Sequence, residues 1–220
     1  MMLLIFINFL FLLFGKADDQ PQFKGGENAL YQFLSVNIVY PEYSSQNCIS
    51  GTVFVSFNID QIGKVSNVKV YKGLGVDLDD EAVRVVRLTS GKWTASLAHD
   101  VHERIVLPIK FNVEQTRCQT FDALRTRSAI EAYRQREALV KVVTNYYSNK
   151  YLGKADTTKE QQIIALKQEL GFDAGYAAEV LEQANRKYKQ GDHESACEDW
   201  LFIRNIGSEI ADVLLSKNCN

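Results

Sequence analysis

Residues Gly51–Val113 constrain the fold more than any other part of the chain. Over Thr52–Ile59 every second residue is apolar, which predicts a β-strand with one buried face. A short turn and a second alternating run over Lys64–Tyr71 predict that the two strands form a hairpin. The second run changes phase at Ser66 and Asn67, which predicts a β-bulge there.

A helix pattern follows the hairpin and begins at Asp77. We expect Asp77 to cap this helix, and the carboxylates of Asp79–Glu81 to complement its positive end. The apolar residues expected to face the sheet are Ala82, Val83, Val85 and Val86, with Arg84 and Arg87 pointing outward.

A third strand pattern runs from Ile105 to Val113 and contains Pro108. Proline has no N–H to give to a ladder, so this strand is predicted to lie at a sheet edge. An edge strand can pair with an extended peptide. The candidate partner-binding residues are Ile105, Val106, Leu107, Pro108, Ile109, Lys110 and Phe111. Lys110 is also the type of charge that protects a free edge from aggregation, so a docking edge and a protected edge are both open.

The N-terminal segment Leu3–Phe14 is almost wholly apolar. This run is shorter than the roughly 20 residues that cross a bilayer, so residues 1–17 are predicted to be a signal peptide that precedes Asp18. A short, uncleaved inner-membrane anchor is the alternative. Either case predicts export. After a short polar lead, Glu27–Asn37 carries the spacing of an amphipathic helix.

Composition and motifs exclude several function classes. The 220 residues carry a net charge of −2 without a basic stripe, which argues against nucleic-acid binding. No nucleophile elbow, zinc-protease motif or phosphate loop is present, so we expect no catalytic residues, no cofactor and no small-molecule substrate. His99 and His102 lack a third ligand and are predicted to be surface histidines, so no metal site is expected.

The chain after Glu114 changes to helix-forming residues. A long amphipathic helix is predicted over Phe121–Lys150, and a second helix begins near Asp156. Gly171 ends that helix, and another restarts at Phe172 and runs to Gln190.

The four cysteines become informative once export is expected. An even number in an oxidising compartment favours two disulfides, for which three connectivities are possible. Four separate buried thiols are the alternative. A zinc site is not favoured, because no CxxC or close Cys/His pair occurs.

The first half of the chain resembles the C-terminal domain of TonB-type proteins, in the form common among Bacteroidetes, over about residues 21–113. The motifs that carry the resemblance are Gly25-Gly26, Tyr40-Pro41, Gly51–Asp60, Gly63–Val65, Leu78–Ala82, Arg84–Val86, Trp93 and Leu107–Phe111. The resemblance implies a TonB/TolA-like two-layer α+β domain, ordered helix, β-hairpin, helix and edge strand. It implies that the first hairpin strand is central, so that Cys48 meets Cys118, and that the last strand accepts the TonB box of an outer-membrane transporter.

The last helical residues resemble a tetratricopeptide-like or Sel1-like helical hairpin. This resemblance rests on Ala184, Tyr188, Gly191-Asp192, Ala196–Trp200, Gly207 and Ala211. The second disulfide is assigned as Cys197–Cys219. Because only one repeat is visible, a plain helical bundle is an equal alternative. The predicted domains are residues 1–17, the TonB-like domain 18–114 and the all-α helical domain 115–220.

These features together predict a periplasmic, transport-associated binding module. Its expected partners are extended segments of outer-membrane transporters or other envelope proteins, with a second copy of the chain as an alternative that would give a homodimer. A membrane-anchored energy transducer and a structural envelope protein are the other hypotheses. The transducer is less favoured, because only Asp18–Phe23 separates the apolar segment from the folded domain and the chain has just three prolines.

Overall fold

The computed structural model describes residues 20–113, 118 and 123–219, and it has an α+β fold. The elements of the first part, in chain order, are β1 (Gln22–Phe23), α1 (Gly26–Asn37), α2 (Glu42–Gln46), β2 (Gly51–Ile59), β3 (Val65–Lys72), α3 (Asp77–Arg87), β4 (Trp93–Thr94) and β5 (Ile105–Phe111). The helices of the second part are α4 (Ala123–Tyr151), α5 (Glu160–Glu169), α6 (Ala174–Lys189), α7 (His193–Asn205) and α8 (Asp212–Asn218).

The main sheet has three antiparallel strands in the order β3-β2-β5, so β2 is central. The β2–β5 register runs without interruption from Gly51 opposite Phe111 to Phe57 opposite Ile105. The β2–β3 register shifts opposite Asn67, whose φ of 53° lies in the left-handed region. The predicted bulge is therefore confirmed.

The first core lies between this sheet and α3. The inward side chains of β2, from Val53 to Ile59 at alternate positions, are at most 1% exposed. Leu78, Ala82, Val85 and Val86 of α3 are fully buried against them, and Val83 is half-buried. The period-2 and period-3.6 patterns thus meet face to face, as the sequence predicts.

A smaller sheet and a close backbone approach complete this part. β1 pairs antiparallel with β4, which places Phe23 opposite Trp93. Gly63, in the turn between β2 and β3, has a φ of 84°, and a Cβ atom there would overlap the carbonyl oxygen of Trp93. Glycine is required at this position because both the backbone conformation and the space exclude a side chain.

The helices α4 to α8 enclose a second core. Its fully buried centre contains Val143, Ala184, Ala196, Ile203 and Ile206, with Trp200 at 1% exposure. Helix α4 serves both cores: Ala129 belongs to the first, while Val140, Val143 and Tyr146 belong to the second. The predicted domain boundary at 114/115 falls outside the described residues and remains a prediction.

The predicted capping role of Asp77 is wrong. Val76 occupies the N-cap of α3 without a side-chain hydrogen bond. The Asp77 carboxylate instead accepts hydrogen bonds from the hydroxyl and the backbone N–H of the buried Ser44 in α2. Asp77 therefore ties α2 to α3, a tertiary role that competes with local capping.

The predicted surface position of His99 is also wrong. His99 is 4% exposed, and its Nε2 lies 3.1 Å from the carbonyl oxygen of Ile59, at the end of β2. The burial follows from this contact, because a strand-end carbonyl enclosed by the fold needs a donor. His102 is exposed, as predicted.

The predicted signal peptide, residues 1–17, lies outside the described residues. Among the residues that the structure does describe, no helix has the length and apolar character needed to cross a bilayer.

Candidate peptide-binding edge

Strand β5 lies at one outer edge of the main sheet. Its inner flank pairs with β2, and within the described ranges no strand lies against its outer flank. The side chains alternate along the strand: Ile109 and Phe111 are each 1% exposed, whereas Val106, Pro108 and Lys110 are exposed. The strand is thus anchored in the core by one set of side chains and leaves the other set open to solvent.

Pro108 indicates which backbone groups face outward. It lies opposite Phe54 in the β2–β5 register. Residue pairs in an antiparallel ladder alternate between bonded and non-bonded, and proline can bond only as an acceptor. The ladder between β2 and β5 loses no hydrogen bond if Pro108 and Phe54 form a non-bonded pair, in which the nitrogen of Pro108 points away from β2. We infer that the N–H and C=O groups of Val106 and Lys110 then point to the free flank.

The opposite edge of the sheet, β3, is differently built. Its register with β2 shifts twice, and Asn67 adopts a left-handed conformation within it. Lys69 and Lys72 are exposed along the same strand. Bulges and lysines are the usual means of preventing strand pairing. By comparison β5 is regular and carries one lysine over its seven residues, so β5 is the edge better suited to accept another strand.

The surface around β5 is amphipathic. Ile105 and Leu107 are half-buried on the core face. On the other face Phe54 is half-buried opposite Pro108, and Val106 is 40% exposed. The ammonium group of Lys110 forms no ion pair with any residue that the structure describes. An added strand would cover apolar side chains on both faces of the sheet and would meet one uncompensated positive charge.

Tyr40 packs against Phe111, the last residue of β5. Its ring packs edge-on against Phe111 with 6.0 Å between ring centroids, and its hydroxyl donates to the carbonyl oxygen of Ile49. Burial, together with the negative charge of Asp77, raises the pKa of Tyr40 to about 12. The same side chain thus contacts β5 through its ring and the residue Ile49, which precedes β2, through its hydroxyl.

Two disulfides are present, Cys48–Cys118 and Cys197–Cys219, with Cα–Cα distances of 5.8 and 5.7 Å. Cys48 precedes β2, and Cys118 follows β5. The first disulfide therefore holds the chain that leaves β5 beside the beginning of the central strand. The second joins α7 to the residue that follows α8.

The α6–α7 pair has the packing expected of a helical hairpin. Ala184 and Ala196 are fully buried, and the rings of Tyr188 and Trp200 lie 5.3 Å apart. Asp192 caps α7 by accepting a hydrogen bond from the backbone N–H of Ser195. The tetratricopeptide-like assignment itself stays a prediction.

The described residues contain no group of three or more His, Cys, Asp or Glu side chains that could hold a metal ion. The contact of Tyr40 with β5 and the second register shift of β3 were not predicted from the sequence. Neither feature has a local signal, because both depend on contacts between elements distant in sequence.

Residues 36–113 match the family model described as Gram-negative bacterial TonB protein C-terminal. The match spans 78 of the 220 residues and contains β2, β3, α3 and β5. β1 and most of α1 precede it, and α4 to α8 follow it. Neither the curated proteins nor the solved structures yielded a match to the chain.

Proposed function

We propose, from the premise that residues 36–113 form a TonB C-terminal-type domain, that this chain is a periplasmic binding module for extended segments of envelope proteins. Strand addition to β5 is the proposed mode of binding, and outer-membrane transporters are the proposed first class of partner. The match of residues 36–113 to this family supports a TonB-like, envelope- and transport-associated role. The mode of binding and the partner class are our proposals.

The observation that carries this proposal is the contrast between the two edges of one sheet. β5 is regular, is anchored by Ile109 and Phe111, and has no strand against its outer flank among the residues that the structure describes, whereas β3 is interrupted twice and carries lysines. Backbone pairing would supply affinity, and the half-buried Ile105 and Leu107 would select apolar side chains on the incoming strand.

The helical domain would provide a second contact with the same partner. It packs on the first domain through ion pairs between Arg87 and the carboxylates of Glu194 and Glu198. A binding surface held at a fixed distance from β5 would raise the overall affinity through effective concentration.

Capture from a solubilised Gram-negative envelope extract tests strand addition. Val106→Pro removes an N–H that we assign to the free flank, while Val106→Thr is the matched control that keeps both the N–H and a β-branched side chain. We expect the Thr variant to retain, and the Pro variant to lose, the outer-membrane proteins identified by mass spectrometry. Equal capture by both variants would contradict strand addition, and equal loss would point to side-chain recognition instead.

The membrane-anchored energy transducer is the second candidate, and the apolar segment Leu3–Phe14 is the observation that favours it. N-terminal sequencing of the protein purified from the envelope separates the two candidates. A mature chain that begins at Asp18 supports the released periplasmic module, and a chain that retains residues 1–17 and sediments with inner membrane supports the anchored form. A self-paired dimer through β5 would appear as a doubled mass that Val106→Pro abolishes.

A further inference from the structure

A second surface, distant in sequence from β5, has the character of a binding cleft. It lies between α1 and the β1–β4 sheet, and its lining residues are Phe23, Lys24, Ala29, Gln32, Phe33, Val36, Gly91 and Lys92. Most of these residues precede the segment that matches the TonB family. The other three, Val36, Gly91 and Lys92, lie within that segment, so the cleft joins the matched segment to the residues that precede it.

The floor of the cleft is aromatic and well packed. The rings of Phe23 and Phe33 lie 5.7 Å apart, and Phe23 meets Trp93 edge-on at 5.4 Å. Phe23 is 8% exposed, whereas Val36 at the rim is 76% exposed. The cleft thus has an aromatic base, and Val36 beside it leaves apolar surface in solvent that a bound apolar side chain would cover.

Two lysines stand side by side at the cleft. The backbone N–H of Lys24 donates to the carbonyl oxygen of Lys92 at 2.8 Å, which places the two residues opposite each other at the end of the β1–β4 pair. The Lys92 ammonium lies 5.2 Å from the centroid of the Phe33 ring, and the Lys24 ammonium donates to the carbonyl oxygen of Gly91 at 2.7 Å. Neither forms an ion pair with a carboxylate in the described part of the chain.

Like charges opposite each other on paired strands are destabilising. Here they are kept next to an open apolar cleft in a chain whose net charge is −2. We propose that this cleft binds a peptide segment of a partner protein in which an apolar side chain is flanked by carboxylates. The apolar side chain would lie on Phe23 and Phe33 against Val36, and the carboxylates would neutralise Lys24 and Lys92.

A peptide suits the cleft better than a lipid does. An acyl chain needs a long enclosed channel, whereas this cleft is short and open, with apolar contact for about one side chain. The Gly91 carbonyl accepts a hydrogen bond from the Lys24 ammonium, which keeps this charge among the residues that line the cleft.

The experiment is a selection from a random-peptide display library on the immobilised, full mature chain. The Lys24→Glu/Lys92→Glu double variant serves for counter-selection. We expect the recovered peptides to be enriched in aromatic or aliphatic residues next to Asp and Glu. A synthetic peptide of the consensus should bind the double variant about tenfold or more weakly, with an affinity for the wild type that falls as salt is added.

Two controls make the result specific. Lys141→Glu/Lys217→Glu changes the net charge equally at exposed positions on α4 and α8, and should leave the affinity unchanged. Val36→Asp should weaken binding without altering urea unfolding. Val106→Pro should have no effect, so that failure of this proposal and failure of strand addition at β5 are separate outcomes.

The proposal is overturned if the selection gives no acidic and apolar consensus, or if both lysine double variants weaken binding equally. It is overturned also if Val106→Pro abolishes binding, because the peptides would then occupy β5. Binding of the wild type to phosphatidylglycerol vesicles, lost in Lys24→Glu/Lys92→Glu and accompanied by no peptide consensus, would assign the cleft to lipid and reject the peptide.

Discussion

Arg87 on α3 and Glu198 on α7 form a two-pronged ion pair, with Nη1–Oε2 and Nη2–Oε1 distances of 2.8 and 2.9 Å. Their helices contribute to different cores, and the two residues are 111 positions apart in the chain. The Arg87 side chain is 14% exposed, whereas that of Glu198 is 58% exposed. A bidentate pair with one desolvated partner fixes the orientation of α3 relative to α7 more than it adds stability.

The first prediction concerns this pair. Glu198→Ala is expected to lower the free energy of unfolding by about 0.5–1 kcal/mol, because the pair is partly screened by water. Glu194→Ala, which removes a single 3.0 Å contact with Arg87, should cost less. Urea unfolding of these variants, of Arg87→Met and of the corresponding double variants gives the coupling energy between Arg87 and each glutamate. If Glu194→Ala lowers the free energy of unfolding as much as Glu198→Ala does, or more, Glu198 is not the main partner of Arg87.

The second prediction concerns Asp80, on α3 near the same junction. The pKa of Asp80 is raised from 3.8 to about 6. The largest cause is partial desolvation, and the negative charges of Glu137, Asp79 and other carboxylates add to it. The folded state therefore holds this proton more tightly than the unfolded state does, so the contribution of Asp80 to stability is largest below pH 3.8 and is lost as the pH rises to about 6.

Asp80→Asn should accordingly stabilise the protein at neutral pH, and the gain should shrink as the pH falls through this window. Urea unfolding of the wild type and of Asp80→Asn at several pH values between 3.8 and 7 measures this gain in the free energy of unfolding. Glu131→Gln, at an exposed position on α4, is the charge-matched control. A gain that is independent of pH would show that the Asn acts through some other effect.

Much of the fold could be predicted from periodicity. The alternation over Thr52–Ile59 and the helical spacing after Asp77 identified β2 and α3, because each buries one continuous face. β1, β4 and α2 were missed, since elements of two to five residues are too short to display a period. Their positions depend on pairing with distant residues, such as Phe23 with Trp93.

The candidate edge was predicted on a different basis, because a proline in the middle of a regular strand is found on edge strands. The errors lie where a side chain has a tertiary partner. Asp77 bonds to Ser44 and His99 contacts Ile59, and neither partner can be inferred from local sequence. The same limit applies to the cleft beside α1, whose two lysines are 68 positions apart in the numbering and meet only when β1 pairs with β4.

The third prediction compares the two disulfides. Cys48–Cys118 closes a loop of 70 residues and Cys197–Cys219 one of 22. In the chain-entropy account, removing them should cost about 4 and about 3 kcal/mol respectively. Double Cys→Ala variants of each pair, unfolded in urea, measure this difference, and non-reducing peptide mapping checks the connectivity. A larger loss for the short loop would contradict the entropic ordering.

The fourth prediction concerns the hydroxyl of Tyr43, which donates to the carbonyl oxygen of Ala129 at 2.7 Å and so ties α2 to α4. Tyr43→Phe should cost about 1 kcal/mol, because it removes one partly buried hydrogen bond and leaves the carbonyl to water. The ring contact with Tyr133, 5.0 Å between centroids, is retained. Tyr31→Phe, whose exposed hydroxyl contacts Glu27, is the matched control and should be near neutral.

The last prediction tests the direction of the backbone groups of β5 without any partner. Ile109 lies opposite Val53, next to the non-bonded Pro108–Phe54 pair, so its N–H is assigned to the ladder with β2. Ile109→Pro should cost about 3 kcal/mol or more, since it removes a ladder bond and core packing together. Val106→Pro, at a position of the same parity as Pro108, should cost less than about 1 kcal/mol.

Ile109→Val separates the two effects at position 109, because it shortens the side chain and keeps the N–H. It should cost about 0.5–1.5 kcal/mol, well below the proline variant. If Val106→Pro destabilises the fold as much as Ile109→Pro, the N–H of Val106 belongs to the ladder. The free flank would then carry different groups, and Val106→Pro could not be used to test peptide binding.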